Sequence, residues 1–175
     1  MDKKRKVVLY IASSLDGFIA GKDGDLSWLA SVERPGEDYG YAEFMNEVDT
    51  VIMGRKTYDT VLSFEGEFHH KGRKCYVLSR SKSGSDGQVE YYNGDVRDLI
   101  DRLKQEKGKN IFLDGGAEAV KVLKEHDLID EYVISIIPVF LGSGIRLFHE
   151  TDNGKSMTLD SCKTFESGLV QLKYS

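Results

Sequence analysis

Residues 51–57 read Val51-Ile52-Met53-Gly54-Arg55-Lys56-Thr57, an apolar run that ends at a glycine and turns basic and polar. Residues 111–118 read Ile111-Phe112-Leu113-Asp114-Gly115-Gly116-Ala117-Glu118, a second apolar run that leads into glycines, here with acidic neighbours. Each stretch predicts a buried strand that ends and turns into a helix. Because the first N–H groups of a helix lack internal partners and carry partial positive charge, both junctions favour an anion. Two such junctions can hold two parts of one phosphorylated ligand, which is typical of a dinucleotide site.

The composition is that of a soluble globular protein. The chain has 175 residues, of which 40% are apolar and 30% charged, and we expect a single domain over residues 1–175. The formal net charge of −5 argues against nucleic acid or an anionic membrane as the main partner. No apolar run approaches the roughly 20 residues that span a bilayer, so no membrane partner is expected.

Cysteine and histidine usage favours the cytoplasm and gives no metal signal. Cys75 and Cys162 lack metal-ligand spacing, and free thiols in a reducing compartment are the favoured interpretation. His69 and His70 are adjacent in a polar loop, where we expect solvated side chains. We therefore expect a cytoplasmic protein without a metal site.

Hydrophobic periodicity predicts an α/β fold. Strands are predicted at residues 7–13, 49–54, 75–79, 88–92, 110–113, 132–139, 157–165 and 169–174. Helices are predicted at residues 39–47 and 56–62, after the cap Asp95, and after Gly116. Alternating strands and helices followed by strands predict three layers, with a central mixed, mostly parallel sheet and helices on both faces.

The residues at the two junctions suit phosphate groups. Glycine at position 54 lets the backbone approach a ligand closely, Thr57 can donate its hydroxyl to one phosphate oxygen, and Arg55 can reach a second. The alternative interpretation is a surface helix start with an ordinary cap. Gly115 and Gly116 can admit a diphosphate or simply allow close packing of strand and helix. The Rossmann G-x-G-x-x-G pattern is not met, because its third glycine is missing.

A third motif, Ser79-Arg80, ends a predicted strand and opens a loop. An arginine at a strand end is often only solvated. In a nucleotide site, the guanidinium of Arg80 suits a 2′-phosphate and would select NADPH over NADH.

The ordered set of these motifs resembles dihydrofolate reductases and the related reductase domain of riboflavin biosynthesis, over nearly the whole chain. The resemblance implies an NADPH-dependent reductase with a dihydrofolate reductase-like fold and the nicotinamide between the first strand and the Gly-Gly strand. It places Ala12 and Ile19 near the nicotinamide and Ser79 and Arg80 at the adenosine phosphate. It also places a larger set beside the diphosphate: Gly54, Arg55, Lys56, Thr57, Leu113, Gly115, Gly116, Ala117 and Glu118.

The resemblance also implies the catalytic residues. Dihydrofolate reductases carry one carboxylate at the start of the helix before the Gly-Arg strand, and the matching position is Asp38, with Glu37 as the rival. Near an apolar pocket we expect desolvation to raise the pKa of Asp38, which would help it protonate the substrate during hydride transfer. The alternative is that Asp38 only caps the helix. Ser135 matches a hydroxyl residue that binds the carboxylate and the substrate, and its alternative is an ordinary strand serine.

Two substrate-binding residues follow from the same resemblance. Trp28 is either a core residue or a wall of the substrate loop. Arg73 matches the arginine that receives the folate glutamate tail, or it meets a ribose phosphate, or it is a solvated charge. No proline precedes Trp28, and Asp114 stands where dihydrofolate reductases often have a third glycine.

The Pro138–Gly144 stretch, followed by Leu147-Phe148, resembles the riboflavin-type domain more than the folate enzyme. We therefore favour a stand-alone reductase of an aminouracil ribose phosphate, and dihydrofolate reduction is the second interpretation. An NADPH-binding module with little catalysis is an alternative of another class. Riboflavin-type relatives also imply a homodimer.

Overall fold

The computed structural model describes residues 4–64, 66–150 and 154–175. Its strands are β1 (Val7–Ser14), β2 (Phe18–Ala20), β3 (Val48–Gly54), β4 (Lys74–Leu78), β5 (Gly84–Ser85), β6 (Glu90–Tyr92), β7 (Asn110–Gly115), β8 (Glu131–Ile137), β9 (Ile145–Arg146), β10 (Leu159–Thr164) and β11 (Val170–Tyr174). Its α-helices are α1 (Tyr41–Asn46), α2 (Arg55–Ser63), α3 (Val96–Gln105) and α4 (Ala117–Glu125), and 3-10 segments cover Lys22–Gly24 and Ser27–Val32. In these described ranges, every helix is too short or too polar to cross a bilayer.

One nine-stranded sheet runs through the molecule in the order β10-β11-β8-β1-β7-β3-β4-β6-β5. The five neighbouring pairs from β8 to β6 are parallel, and the pairs at the two outer ends are antiparallel. Strands β2 and β9 form a separate two-stranded ribbon. The expected mixed, mostly parallel sheet is confirmed.

Side chains along a central strand point alternately to the two faces of the sheet, and both sets are apolar, which explains why helices cover both faces. On β3, Val51 and Met53 pack in one cluster with Met45 of α1 and Tyr58 of α2. Ile52, between them, packs in the opposite cluster, which contains apolar residues of α3 and α4. All three strand residues are 0% exposed, so β3 is apolar on both faces, as a central parallel strand must be. The three-layer arrangement is thereby confirmed.

Two predicted elements end earlier or begin later than expected, for backbone reasons. The helix expected from residue 39 begins at Tyr41, because Tyr39 and Gly40 have φ of 57° and 83°, in the left-handed region. Strand β8 ends at Ile137, because Pro138 has no N–H to continue the ladder. Asp95 caps α3 as predicted, since its side chain accepts the backbone N–H of Arg97.

Candidate active site

The three sequence motifs meet at one edge of the sheet. Gly54 ends β3 and Gly115 ends β7, and these strands are parallel neighbours. Ser79 follows the last residue of β4, the parallel neighbour of β3 on its other side, and Arg80 comes next. The carboxyl ends of parallel strands lie at the same edge, which is where open α/β sheets bind ligands.

The two glycine junctions are in contact with each other. A Cβ atom added to Gly54 would lie 3.7 Å from the backbone nitrogen of Gly116, and one added to Gly116 would lie 3.0 Å from Oγ1 of Thr57. Gly115 has φ of 113°, which disfavours any residue with a side chain, and the Gly115–Gly116 peptide is cis. We call Gly54, Thr57, Gly115 and Gly116 the glycine cradle. Its surface is mostly backbone, as close approach of a ligand requires.

Basic residues follow the ends of β3 and β4 at this edge of the sheet. Arg55 is half-buried, and its Nε donates to the carboxylate of Asp59 at 3.0 Å in an exposed pair. Lys56 and Arg80 are exposed to solvent. The hydroxyl of Ser79 accepts backbone N–H groups of the following turn, so its side chain shapes the loop that carries Arg80.

Not every residue expected beside the diphosphate can contact one. The side chain of Leu113 is 0% exposed and faces the α3 and α4 layer, so only the backbone of Leu113 is available to flank a diphosphate. Ala117 opens α4 and is buried. Glu118 is exposed, and its carboxylate lies 3.7 Å from Nε2 of His149. A negative side chain opposes a diphosphate, so the backbone of Glu118 suits this role better than its carboxylate.

A cavity of about 710 Å³ opens on β1 and β8, and we call it the β1–β8 cleft. Strand β1 lies between β8 and β7, so the cleft lies beside the glycine cradle. The volume is typical of a small-molecule site. Its lining residues are Tyr10, Ala12, Leu29, Val32, Glu33, Arg34, Pro35, Glu37, Asp38, Tyr39, Ser135, Ile137 and Leu169.

A buried polar cluster supports this cleft. Ala12, Ser135 and Gln171 lie opposite one another across β1, β8 and β11. The amide nitrogen of Gln171 lies 3.0–3.1 Å from the hydroxyls of Tyr10 and Ser135 and the carbonyl of Tyr39, so its two hydrogens are shared among three acceptors. Burial raises the pKa of Tyr10, so its hydroxyl stays protonated and donates to the same carbonyl. Sequence reasoning found Ala12 and Ser135 but missed Tyr10 and Gln171, because β11 reaches them only through the sheet register.

The carboxylate of Asp38 lines the cleft but is not desolvated. It accepts the backbone N–H groups of Ala42 and Gly40, both at 2.9 Å, and so caps the start of α1. These hydrogen bonds hold the pKa of Asp38 below its ordinary value of 3.8. The expectation of a raised pKa is therefore wrong, because the side chain is exposed and bonded to N–H donors. Glu37, the rival, also lines the cleft, and its carboxylate accepts the N–H of Tyr39 at 2.7 Å.

Trp28 lies in the core behind the cleft. It is 8% exposed and packs with Val32, Ile137 and Leu169, which themselves line the cavity. Of the two interpretations of Trp28, the core residue matches this placement, so its expected direct contact with substrate is corrected to an indirect support. Ile19, on β2, is half-buried against the α3 and α4 layer.

Arg73 lies away from both parts of the site. Its guanidinium donates to the carbonyls of Met45 and Val48, at the end of α1 and the start of β3. That position is at the amino edge of the parallel strands, opposite the glycine cradle. Nε and Nη2 of Arg73 thus bind backbone carbonyls at that far edge, and the expectation that Arg73 receives an anionic tail of the substrate stays a prediction.

A histidine–carboxylate pair was also missed. His70 is 2% exposed, and its Nε2 lies 2.8 Å from the carboxylate of Asp114, the residue before the glycine pair. Because a carboxylate can only accept, Nε2 is the donor in this pair, and Nδ1 has no hydrogen-bond partner among the described residues. The expectation of a solvated His70 is wrong. Among residues 4–64, 66–150 and 154–175, no group of three His, Cys, Asp or Glu side chains is arranged to hold a metal ion.

The sequence and structure match a known family. The family model of the RibD C-terminal domain matches residues 5–171. The chain belongs to the RibD C-terminal domain family. It is 48% identical over 172 residues to the uncharacterized protein YwjB of Bacillus subtilis (strain 168), and the match covers 98% of both chains.

Solved structures with similar folds agree with the assignment of this chain to the RibD C-terminal domain family. A putative riboflavin biosynthesis protein from Shewanella sp. PV-4 superposes with a TM-score of 0.89 at 33% identity and covers 97% of both chains. A diaminohydroxyphosphoribosylaminopyrimidine deaminase/5-amino-6-(5-phosphoribosylamino)uracil reductase from Thermotoga maritima has a TM-score of 0.72 at 16% identity, over 98% of this chain and 56% of that one. Dihydrofolate reductase from Enterococcus faecalis, complexed with NADP(H), has a TM-score of 0.62 at 14% identity, over 98% of this chain and 96% of that one. The dihydrofolate reductase-like fold is thus confirmed.

The residues present in this RibD C-terminal domain fit a phosphorylated dinucleotide. The two junctions lie so close together that a side chain on Gly54 or Gly116 would fill the space between them. Backbone N–H groups at the starts of α2 and α4 point an array of donors to this edge. Arg55 and Arg80 supply charge on the same side.

Proposed function

We propose that this RibD C-terminal domain is an NADPH-dependent reductase of a planar nitrogen heterocycle. The observation that carries the proposal is the contact between the two glycine junctions, with 3.7 Å between a Cβ atom added to Gly54 and the backbone nitrogen of Gly116. Two junctions in contact form one cradle for one diphosphate. When bound, NADPH would supply a hydride to the carbon of a C=N or C=O bond.

In this proposal, separate groups of residues bind the diphosphate, the 2′-phosphate and the nicotinamide of NADPH. The glycine cradle, with Arg55 and Lys56, holds the diphosphate through backbone N–H groups and positive charge. Ser79 positions the loop of Arg80, and Arg80 reads the 2′-phosphate. Ala12, which lines the cleft, flanks the nicotinamide. Ile19 is half-buried against the α3 and α4 layer, so only the exposed part of its side chain is available for this role.

Two residues of the cleft transfer the proton to the substrate and orient its ring. Asp38 is ionised at neutral pH, so it accepts an N–H of the heterocycle and relays a proton from water to the reduced nitrogen or oxygen. Ser135, held by Gln171, orients the ring with its hydroxyl. The proposed role of Asp38 therefore differs from the one expected from the sequence. Because its pKa is lowered, Asp38 relays a proton as a carboxylate and does not hold one as a carboxylic acid.

For the substrate, we favour an aminouracil that carries a ribosylamino chain with a 5′-phosphate over dihydrofolate. The Thermotoga maritima enzyme, whose fold this chain shares, is named as a 5-amino-6-(5-phosphoribosylamino)uracil reductase. Nε and Nη2 of Arg73 bind backbone carbonyls at the far edge of the sheet, which engages two of the donors that a folate glutamate tail would use.

The test measures NADPH consumption with 5-amino-6-ribosylaminouracil, its 5′-phosphate and dihydrofolate, together with NADPH affinity by calorimetry. We expect micromolar binding of NADPH and turnover of an aminouracil. Binding of NADPH without turnover of any pyrimidine or pterin would instead support a nucleotide-binding module. Absence of NADPH binding would contradict the proposal. The expected homodimer stays a prediction, which sedimentation of the purified protein tests.

A further inference from the structure

The buried side chain of His70 has no part in the reaction proposed above. It lies in the loop between α2 and β4, is 2% exposed, and meets the rings of Phe68 and Phe112 edge to face, with ring centroids 5.7 and 5.9 Å away. Its Nδ1 is buried and has no hydrogen-bond partner in the part of the chain that the structure describes. Burying an unpaired polar atom costs free energy, so an apolar side chain would suit these aromatic walls better. The reason for a histidine at this position therefore lies in the contact that Nε2 makes.

Nε2 of His70 donates to the carboxylate of Asp114 at 2.8 Å. Asp114 directly precedes the glycine pair, so its side chain is attached to the end of β7 that forms half of the glycine cradle. Side chains alternate along β7, since Leu113 faces the α3 and α4 layer and Phe112 packs in the cluster that contains residues of α1 and α2. The carboxylate of Asp114 thus lies on the same face of the sheet as Phe112, where the ring of His70 meets it.

A carboxylate beside the glycine cradle opposes the binding of an anion. The side chain of Asp114 is 22% exposed, so it is not shut away from a ligand at this edge of the sheet. Two like unit charges about 4 Å apart in water change a dissociation constant about fivefold. The hydrogen bond from His70 fixes the carboxylate in one rotamer on the face of the sheet. Without that donor, rotation about the Cα–Cβ bond of Asp114 would bring the negative charge toward the phosphate groups.

We infer that His70 is a positioning residue for the cofactor. Through its hydrogen bond to Asp114, it holds one carboxylate away from the diphosphate and keeps the end of β7 in the conformation that the glycine cradle needs. The inference rests on the proposed function, since it takes NADPH as the ligand of the cradle. In this arrangement His70 contacts neither cofactor nor substrate and acts only through Asp114.

Two substitutions separate the hydrogen bond from the packing of the ring. His70→Leu fills the same apolar space without a donor. We expect it to raise the dissociation constants of NADPH and NADH equally, about threefold to tenfold, because both carry the diphosphate. His70→Gln keeps an amide N–H at similar reach, so its affinity should stay within about twofold of that of the unaltered protein. Calorimetry measures each constant, and the loss in His70→Leu should shrink at higher salt, which screens the repulsion.

Removing the negative charge should remove the need for His70. Asp114→Asn should bind NADPH at least as tightly as the unaltered protein, and adding His70→Leu to it should change the affinity less than about twofold. The matched control is Tyr58→Phe, which deletes a 2.7 Å hydrogen bond from a buried side chain to the carboxylate of Asp86. Asp86 lies between β5 and β6, outside the cradle, so denaturant unfolding should show a loss of stability while NADPH affinity stays unchanged.

The amide NMR signals of Gly115 and Gly116 test the positioning without any cofactor. We expect one sharp signal for each glycine in the unaltered protein and in His70→Gln. In His70→Leu, the side chain of Asp114 exchanges between rotamers, so these signals should be broadened or doubled.

Three results would overturn the inference and leave the reductase proposal intact. They are unchanged NADPH affinity in His70→Leu, a loss that persists when Asp114→Asn is added, and an equal loss in Tyr58→Phe. If the unaltered protein binds no NADPH, the reductase proposal fails, and the amide signals of the two glycines alone decide whether His70 holds the cradle in place.

Discussion

The glycine cradle is built from backbone, whereas the β1–β8 cleft beside it is built from side chains. The cradle consists of two strand-to-helix junctions, and each junction is one continuous stretch of sequence. The cleft collects side chains from β1, the segment before α1, β8 and Leu169 just before β11, and Gln171 of β11 supports them. Both lie at the same edge of one sheet, yet their chemistry depends on different levels of structure.

This difference explains how one fold can keep a cofactor and change a substrate. Backbone N–H groups are present whatever the sequence, so the cradle needs only glycines at its points of close approach. The cleft needs particular hydroxyl, amide and carboxylate groups, and each can change separately. Changes at the cradle should therefore alter cofactor binding, and changes at the cleft should alter turnover.

The largest effect is expected from Asp38→Asn, which removes the carboxylate charge from the cleft. We expect kcat/KM for the aminouracil to fall about 100- to 10,000-fold, the range of general acid–base contributions, because an amide cannot relay the proton. NADPH affinity should change less than about twofold, since the cradle is untouched. Steady-state kinetics and calorimetry measure the two quantities.

Asp95→Asn is the matched control for that variant. Asp95 caps α3 as Asp38 caps α1, because its carboxylate accepts the backbone N–H of Arg97 at 2.8 Å. It lies outside the residues that line the cleft. Turnover by Asp95→Asn should match the unaltered protein. Equal turnover by Asp38→Asn would leave Asp38 as a cap alone and support the binding module.

The two regions also differ in how far the sequence predicted them. The cradle was predicted, because Gly54 and Gly115 each follow an apolar run and the signal is local. Gln171 was missed because its partners Tyr10 and Ser135 are 161 and 36 residues away, and nothing local distinguishes a strand glutamine that points inward.

The predictions for the environments of Asp38 and His70 were wrong for the same reason. Predicting the pKa of Asp38 required the N–H donors of Gly40 and Ala42, and these depend on the left-handed backbone at Tyr39 and Gly40. Predicting a buried His70 required the position of Asp114, 44 residues away. Apolar periodicity, in contrast, was enough for the three layers, because β3 and its neighbours are apolar on both faces.

Gly115→Ala tests cofactor binding by the cradle, and its effect on NADPH affinity should be the next largest. The φ of 113° at Gly115 disfavours alanine, and the added Cβ would lie 3.4 Å from Cδ1 of Ile11. We expect NADPH affinity to fall about tenfold to a hundredfold, which is 1.4–2.7 kcal/mol. The free energy of unfolding should fall by about 1–3 kcal/mol from the backbone strain.

Gly72→Ala separates strain from binding. Gly72 has φ of 85°, with no atom within 4 Å of an added Cβ, and it lies in the loop before β4 at the far edge of the sheet. Denaturant unfolding should show a stability loss of the same order, and calorimetry should show unchanged NADPH affinity. Equal losses of affinity in both variants would mean that general destabilisation, rather than the cradle, governs cofactor binding.

Arg80→Ala should affect one cofactor and spare the other. Loss of a charge-assisted hydrogen bond to the 2′-phosphate should weaken NADPH about tenfold, and NADH, which lacks that phosphate, less than twofold. Lys82→Ala removes a neighbouring positive charge whose ammonium lies over the ring of Tyr91, and it serves as the control. Equal losses for NADPH and NADH would show that Arg80 does not read the 2′-phosphate.

The smallest effect is expected from pH, and it bears on the cleft alone. A carboxyl group whose pKa is held below 3.8 by the N–H groups of Ala42 and Gly40 is ionised throughout the neutral range. The kcat/KM should therefore vary less than about twofold from pH 6 to pH 8, measured with a substrate that does not titrate there. A resting acid with a raised pKa would instead lose activity as the pH rises through that value. The depressed pKa also means that the cap stabilises α1 at all pH above the ordinary value and fails only as the pH falls through the lower native one, so the unfolding midpoint should not change over the same interval because of Asp38.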